Sequence, residues 1–503
     1  MKFSSLISLC VSALVLTASA KPVTKHHHHH KPPAQKAVAH QTIQPLDHFG
    51  GLDNRTIPIR YWVNSTFYKP GGPVLLVNNG EAAVFDEDVA FLFGSTFGTM
   101  AKSLNAAILL FEHRYYGDSH PPLSEPVDYR YLTVNQSLAD MAAFIKSTGK
   151  GVPGIPHDLT PPKTKWITRG GSYSGMLSAW MRYAYPDLVF ATISSSAPVE
   201  AQLPYWEYLN AFVQYGPQDC VAAMHNVVDY IDGFFASNPT DKQKAALKAQ
   251  FGVGASTDDL TFVGNIPYLP FMWQSTSPVQ EPVDAACKQA FQGAKTVAQQ
   301  VKGYATYFKG LGPQQPLNHR SLQYQLNRQH MTHHRQSKPD SSNTTAPNPY
   351  DDMTLWTYQT CVEFGYDQTV PPPKNSPWYN KRVMSNMTTA DMYVQQCQQQ
   401  FPGQVPSTPA TGLVNQYFQG WHLSMTNTIW VNGEWDPWRW LSVASLEAPA
   451  RTNTSSQYSL LLPHGVHCFD YYNYPGYQNS ITNFVNFATA TLKSWLGAKS
   501  HHH

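Results

Sequence analysis

The chain has 503 residues, a formal net charge of +2, and 14% charged against 42% hydrophobic residues. So few charges, where about 25% is usual, exclude a nucleic-acid partner, which needs a concentrated basic surface. The length exceeds what a single core serves, so a large catalytic domain carrying an insertion is expected.

Lys2, an apolar run over 6–16 and Ala18-Ser19-Ala20 make a secretory signal over 1–20. The stretch 21–42 lacks periodicity and reads as a disordered leader. The histidine runs 26–30 and 501–503 read as tags or disordered ends rather than a metal site. No later apolar run reaches the roughly 18 residues that span a bilayer, so a soluble exported protein with no membrane partner is expected, extracellular or else vacuolar or lysosomal. Six sequons, at Asn54, Asn64, Asn135, Asn343, Asn386 and Asn453, fit a secreted glycoprotein. After signal removal five cysteines remain, which leaves one thiol unpaired. Proximity suggests Cys220 with Cys287 and Cys361 with Cys397, although spacing alone cannot choose among connectivities.

Short apolar runs at 73–79 (PVLLVNN), 106–112 (AAILLFE), 165–169 (KWITR) and 189–195 (VFATISS) read as buried parallel strands. Between them Leu138, Met141, Ala142 and Ile145, then Met176, Leu177, Trp180 and Ala184, follow helical spacing. The strand signature returns at 428–433 (TIWVNG) and 457–462 (QYSLLL), and Ile481, Phe484, Val485, Ala488, Leu492 and Trp495 mark a closing helix. The intervening 202–418 is rich in aromatics, Gln and Pro, with helical stretches such as 241–251 and a low-complexity loop at 318–348. The predicted architecture is therefore α/β: an α/β-hydrolase core over 43–201 and 419–498 with a mainly helical cap inserted at 202–418.

The strand at 165–169 enters Gly170-Gly171-Ser172-Tyr173-Ser174-Gly175 and then a helix, the context of a nucleophile elbow. Ser172 is the preferred nucleophile and Ser174 its competitor, because the glycine pair precedes Ser172 and permits the sharp turn. An acid and then a histidine must follow in chain order, each after a strand. Asp436 and His467 satisfy that order, with Glu434 and His464 as decoys. This chemistry calls for no metal and no cofactor. Tyr173 N–H is expected to donate into an oxyanion hole, with a second donor near Gly80, and Glu81 to bind a substrate amine or brace its loop.

The elbow motif, Glu112-His113-Arg114-Tyr115-Tyr116-Gly117-Asp118-Ser119, Asn432-Gly433-Glu434-Trp435-Asp436-Pro437-Trp438 and Gly465-Val466-His467 together resemble the family of lysosomal Pro-X carboxypeptidase, dipeptidyl peptidase II and fungal acid prolyl endopeptidases. Leu46-Asp47-His48-Phe49, the segment 132–140, Ser196-Ala197-Pro198-Val199-Glu200 and Tyr358-Gln359-Thr360-Cys361 agree as well. The resemblance implies a serine peptidase with Ser172, Asp436 and His467 as its triad. It further implies a slot for proline lined by Met176 and Trp438, and cleavage on the carboxyl side of proline in peptide or protein substrates. His467-Cys468 looks most like the fungal secreted branch, which favours endopeptidase activity at acidic pH and Cys468 as the unpaired thiol. Pro-X carboxypeptidase or dipeptidyl aminopeptidase activity is the alternative. A lipase or esterase on the same fold is disfavoured by the lack of an HGGG-type loop. A monomer or homodimer is expected.

Overall fold

The computed structural model describes residues 38–51, 53–123, 127–275, 281–312, 348–372, 377–472 and 477–497. The expected signal, most of the expected leader, both histidine runs and all but Asn348 of the loop expected at 318–348 lie outside the described residues. Eight strands form one sheet: β1 (His40–Pro45), β2 (Thr56–Asn64), β3 (Val74–Asn78), β4 (Ala107–Phe111), β5 (Trp166–Gly171), β6 (Ala191–Ser195), β7 (Thr428–Gly433) and β8 (Gln457–Leu462). Their order is β1-β2-β4-β3-β5-β6-β7-β8. β1 and β2 are antiparallel to their neighbours, and every pair from β4 onward is parallel. This is the α/β-hydrolase fold.

The apolar runs are strands because helices cover both faces and leave no polar side. Along β3, Val74 and Leu76 enter one hydrophobic cluster while Leu75 and Val77 enter the other, as the two-residue period requires. The first cluster packs against α3 (Val134–Thr148) and α4 (Tyr173–Ala184), and the second against α2 (Thr96–Leu104) and the C-terminal helix Gln478–Trp495. A further helix, α1 (Asp86–Gly94), follows β3. Between β6 and β7 the described residues form helices and turns, among them Gln218–Ala236, Val297–Gly310 and Asp352–Gln359, so the inserted region is helical.

Regular structure starts earlier than the expected boundary at residue 43, because β1 begins at His40. Its sequence, HQTIQP, has no apolar alternation. It is an edge strand held by pairing with β2, and its Ile43 stays 62% exposed. The disulfides are Cys220–Cys287 and Cys361–Cys397, and Cys468 is free, as proximity suggested. Two disulfides fit an oxidising compartment. Among the described residues no helix is long and apolar enough to cross a membrane.

Candidate active site

β5 ends in Gly170 and Gly171, and the chain reverses at Ser172, whose φ of +58° and ψ of −133° store strain of the kind found at nucleophile elbows. The glycines are sterically required: a Cβ on Gly170 would lie 2.2 Å from the Ser174 carbonyl oxygen, and one on Gly175 2.6 Å from that of Ser195. Ser172 N–H donates to Ser195 O at 2.9 Å and its carbonyl accepts from Met176 N–H at 3.0 Å, so the turn is tied to β6 and to α4. The Ser172 side chain is half-buried. Ser174 is buried instead, its hydroxyl donating to the Asn78 carbonyl at the end of β3.

Asp436 follows β7 and His467 follows β8, both buried. His467 Nδ1 lies 3.0 and 3.1 Å from the two Asp436 oxygens, and Asp436 also accepts from Trp438 N–H at 2.9 Å. His467 Nε2 is buried without a partner and, with Ser172, lines one cleft. Burial by itself would disfavour the imidazolium. The facing Asp436 carboxylate outweighs that and holds the His467 pKa well above its ordinary value. The decoys serve each other: Glu434 accepts the His464 backbone N–H at 3.0 Å, and the exposed His464 ring stacks on Trp435.

Tyr173 N–H opens α4, where the first amides lack intrahelical acceptors. The Gly80 expectation needs correction. Its amide donates to Asn78 Oδ1 at 2.8 Å, which closes the loop after β3 and takes that donor out of play. Glu81, the next residue, lines the cleft, and burial lifts its carboxyl to about 7, against the pull of His467 and with Asp352 adding to the rise. Met176 is fully buried, its sulfur 3.5 Å from the Tyr366 hydroxyl. Trp438 is 3% exposed, packs against Tyr205, Tyr208 and Tyr366, and donates its indole N–H to Gln274 Oε1 at 2.7 Å. Neither borders the open cleft. Gln274 does, together with Phe91 and Leu92 of α1 and Tyr471 and Tyr472 beyond His467. None of these wall residues was legible as a site, because they come from three distant segments and carry ordinary core side chains.

A family model described as serine carboxypeptidase S28 matches residues 44–483. The chain belongs to the serine carboxypeptidase S28 family. This S28 chain is 30% identical over 473 residues to the "Probable extracellular serine carboxypeptidase" of Arthroderma benhamiae, a match covering 86% of this chain but only 63% of that relative's length. It is 26% identical over 488 residues to a serine protease of Bipolaris victoriae, covering 90% and 88% of the two chains. It is 28% identical over 454 residues to the thymus-specific serine protease of Mus musculus, covering 85% and 81%. As a member of S28 it is a serine peptidase, a hydrolase acting on peptides.

The remaining motif residues of the S28 chain build the platform under the elbow. Glu112, at the end of β4, binds Arg60 through Oε1 at 2.5 Å and accepts Val84 N–H at 2.9 Å, which fixes the segment behind Glu81. His113 Nε2 lies 3.0 Å from the Tyr173 hydroxyl, which also accepts from Gln359 of the helical insertion at 2.8 Å. Arg114 grips Asp140 at 2.6 and 2.9 Å, and Asp140 in turn meets His48 at 2.7 Å.

Proposed function

We propose that this S28 peptidase is secreted and hydrolyses peptide bonds on the carboxyl side of proline, endopeptidase cleavage foremost, with Ser172, Asp436 and His467 as its triad. The observation that carries the reading is one cleft lined by both Ser172 and His467, whose buried Nε2 has no hydrogen-bond partner while Asp436 holds Nδ1. Ser172 Oγ attacks the carbonyl carbon as His467 Nε2 takes its proton, and the carbonyl π-pair moves onto oxygen. On collapse the C–N bond breaks and His467 returns the proton to the leaving amine, leaving an acyl-Ser172 ester that water hydrolyses through the same base. Tyr173 N–H supplies one oxyanion donor. Of Gly80 and Glu81, the Glu81 N–H is the second donor, since Gly80 is held by the Asn78 side chain whereas the Glu81 amide meets only its own carboxyl, which can swing away.

Proline favours a compact apolar slot, because its ring fixes φ and offers no N–H. Met176 and Trp438, walled by Tyr205, Tyr208 and Tyr366, have that character, and the Trp438 ring centroid lies 6.2 Å from that of His467. For a prolyl ring to enter, Gln274 must turn away from Trp438 Nε1 and the Tyr208 hydroxyl, both of which it now accepts from. Glu81 favours a second reading, dipeptidyl aminopeptidase action. Its carboxyl has no hydrogen bond or ion pair with another side chain among the described residues, and a substrate ammonium entering the cleft would supply the counter-charge. An acidic working range requires substrate to displace the proton from His467, since Asp436 favours the protonated ring.

Export and glycosylation complete the proposal: Asn54, Asn135, Asn386 and Asn453 are exposed and Asn64 is half-buried. The test is hydrolysis of an N-blocked Ala-Pro amide, an unblocked Ala-Pro amide, a peptide ending Pro-Phe and a short-chain ester, wild type beside Ser172→Ala. Cleavage of the blocked amide, lost in the variant, is the expected result. Cleavage confined to the unblocked amide selects the second reading, and ester hydrolysis alone, or activity that survives Ser172→Ala, overturns the proposal.

A further inference from the structure

Ser172 follows β5 and His467 follows β8, and β6 and β7 lie between those strands in the sheet. The histidine loop must therefore reach back across two strands and stop at a fixed height over the elbow. Its docking site is unusually explicit. Asp470, three residues after His467 and 1% exposed, accepts Arg169 Nη2 at 3.2 Å on one carboxylate oxygen and the Ser195 hydroxyl on the other. Its backbone carbonyl accepts the Thr96 hydroxyl at 3.0 Å, and Arg169 Nη2 donates to the same hydroxyl at 2.8 Å. Arg169 is fully buried on β5, three residues before Ser172, with its guanidinium 3.8 Å from the centroid of Phe97.

The neighbouring residues join the two loops a second time. Ser195 O accepts Ser172 N–H at 2.9 Å while its hydroxyl holds Asp470, and Ser196 Oγ accepts Cys468 N–H at 2.9 Å. Gly171 shows how closely they pack: a Cβ there would lie 2.7 Å from Cys468 Sγ and 2.8 Å from Tyr471 Cζ. We propose that the buried Arg169–Asp470 pair, joined by Ser195, is a strut that sets His467 in register with Ser172, making all three positioning residues for acyl transfer. The proposal rests on the triad reading above. Hydrophobic packing is non-directional and tolerates a sliding loop, whereas a carboxylate bound on both oxygens does not.

The experiment compares kcat, KM and the rate of inactivation by a serine-directed organophosphonate in wild type, Ser195→Ala, Asp470→Asn and Ser172→Ala, with thermal unfolding recorded for each. Ser195→Ala strands no charge and should fold. Its kcat is expected to fall about tenfold with KM unchanged, and Asp470→Asn about a hundredfold, the scale of a 1 Å misplacement. Phosphonate inactivation should slow in parallel, at temperatures well below unfolding. If Asp470→Asn does not fold, Ser195→Ala decides. A Ser195→Ala kcat within twofold of wild type, beside a dead Ser172→Ala, overturns the strut and leaves the triad standing. Turnover surviving in Ser172→Ala overturns the triad reading and the strut with it.

Discussion

Replacing Asp436 with Asn changes one charge and almost no volume, which isolates what the carboxylate does. In the wild type both carboxylate oxygens lie within 3.1 Å of His467 Nδ1, so the neutral ring, the form that acts as base, carries its proton on Nδ1 and presents a lone pair at Nε2. An amide that still accepts Trp438 N–H through its oxygen turns its NH2 toward Nδ1 and stabilises the opposite tautomer, with Nε2 protonated. That tautomer cannot take the Ser172 proton. The expected loss in kcat/KM is about 10³–10⁴, or about 4–5.5 kcal/mol of transition-state stabilisation. The pH profile supplies the sign. Burial opposes the charged imidazolium while Asp436, with Cys468 beside it, favours it, so Asp436→Asn removes the larger of the two influences that counter burial and lowers the His467 pKa. The residual activity should therefore reach its plateau at lower pH than in the wild type. The assay is kcat/KM for a blocked prolyl amide from pH 4 to 9, with thermal unfolding as control. A loss under tenfold, or a midpoint that stays or rises in a folded variant, refutes the assignment.

Ser174→Ala removes a hydroxyl committed to the Asn78 carbonyl, so it should keep activity within about tenfold, whereas Ser172→Ala loses at least three orders of magnitude under the same assay. Glu81, at about 7, ionises as pH rises through neutrality, so kcat/KM for an unblocked amine substrate should rise across that range if Glu81 pairs the ammonium. Glu81→Gln should flatten that limb and leave a blocked substrate unaffected; equal losses for both substrates would remove Glu81 from amine recognition. Converting Cys361 and Cys397 to Ser opens a loop of 36 residues, for which chain entropy gives about 4 kcal/mol of lost stability, read as a fall in the denaturant midpoint.

The parts of the fold legible in the sequence share one cause, burial on both faces of the sheet. β3 to β6 are short, mainly apolar runs because both sheet faces are covered, and the polar residues they carry, such as Arg169 and Ser195, are buried with hydrogen-bond partners; β7 and β8 carry enough of the same signature for their bounds to follow the residue pattern. β1 lacks that signature because an edge strand needs only one partner ladder, which composition does not record. The elbow was legible because glycine there answers a local steric demand. Which amide of the Gly80-Glu81 pair is free was not, since that depends on the Asn78 side chain folding back two residues onto Gly80 N–H. The cleft wall was hidden for a different reason: Phe91, Gln274 and Tyr472 are brought together only by tertiary packing.

The buried charges fall into place when set against that geometry. Replacing a buried ion pair by apolar residues is often neutral or stabilising, so stability alone does not explain Arg114–Asp140, Arg60–Glu112 and Arg169–Asp470. Each pair instead ties down a segment that borders the cleft or packs behind the elbow. Arg60 and Glu112 fix the chain behind Glu81, Arg114 and Asp140 anchor the loop that presents His113 to Tyr173, and Arg169 and Asp470 join the elbow to the histidine loop. Residues 172, 436 and 467 arrive from three strand ends, and acyl transfer needs their reacting atoms placed to within about half an ångström. Directional polar tethers meet that demand where interchangeable methyl contacts would not, which is a physical reason for charges to persist beneath this site.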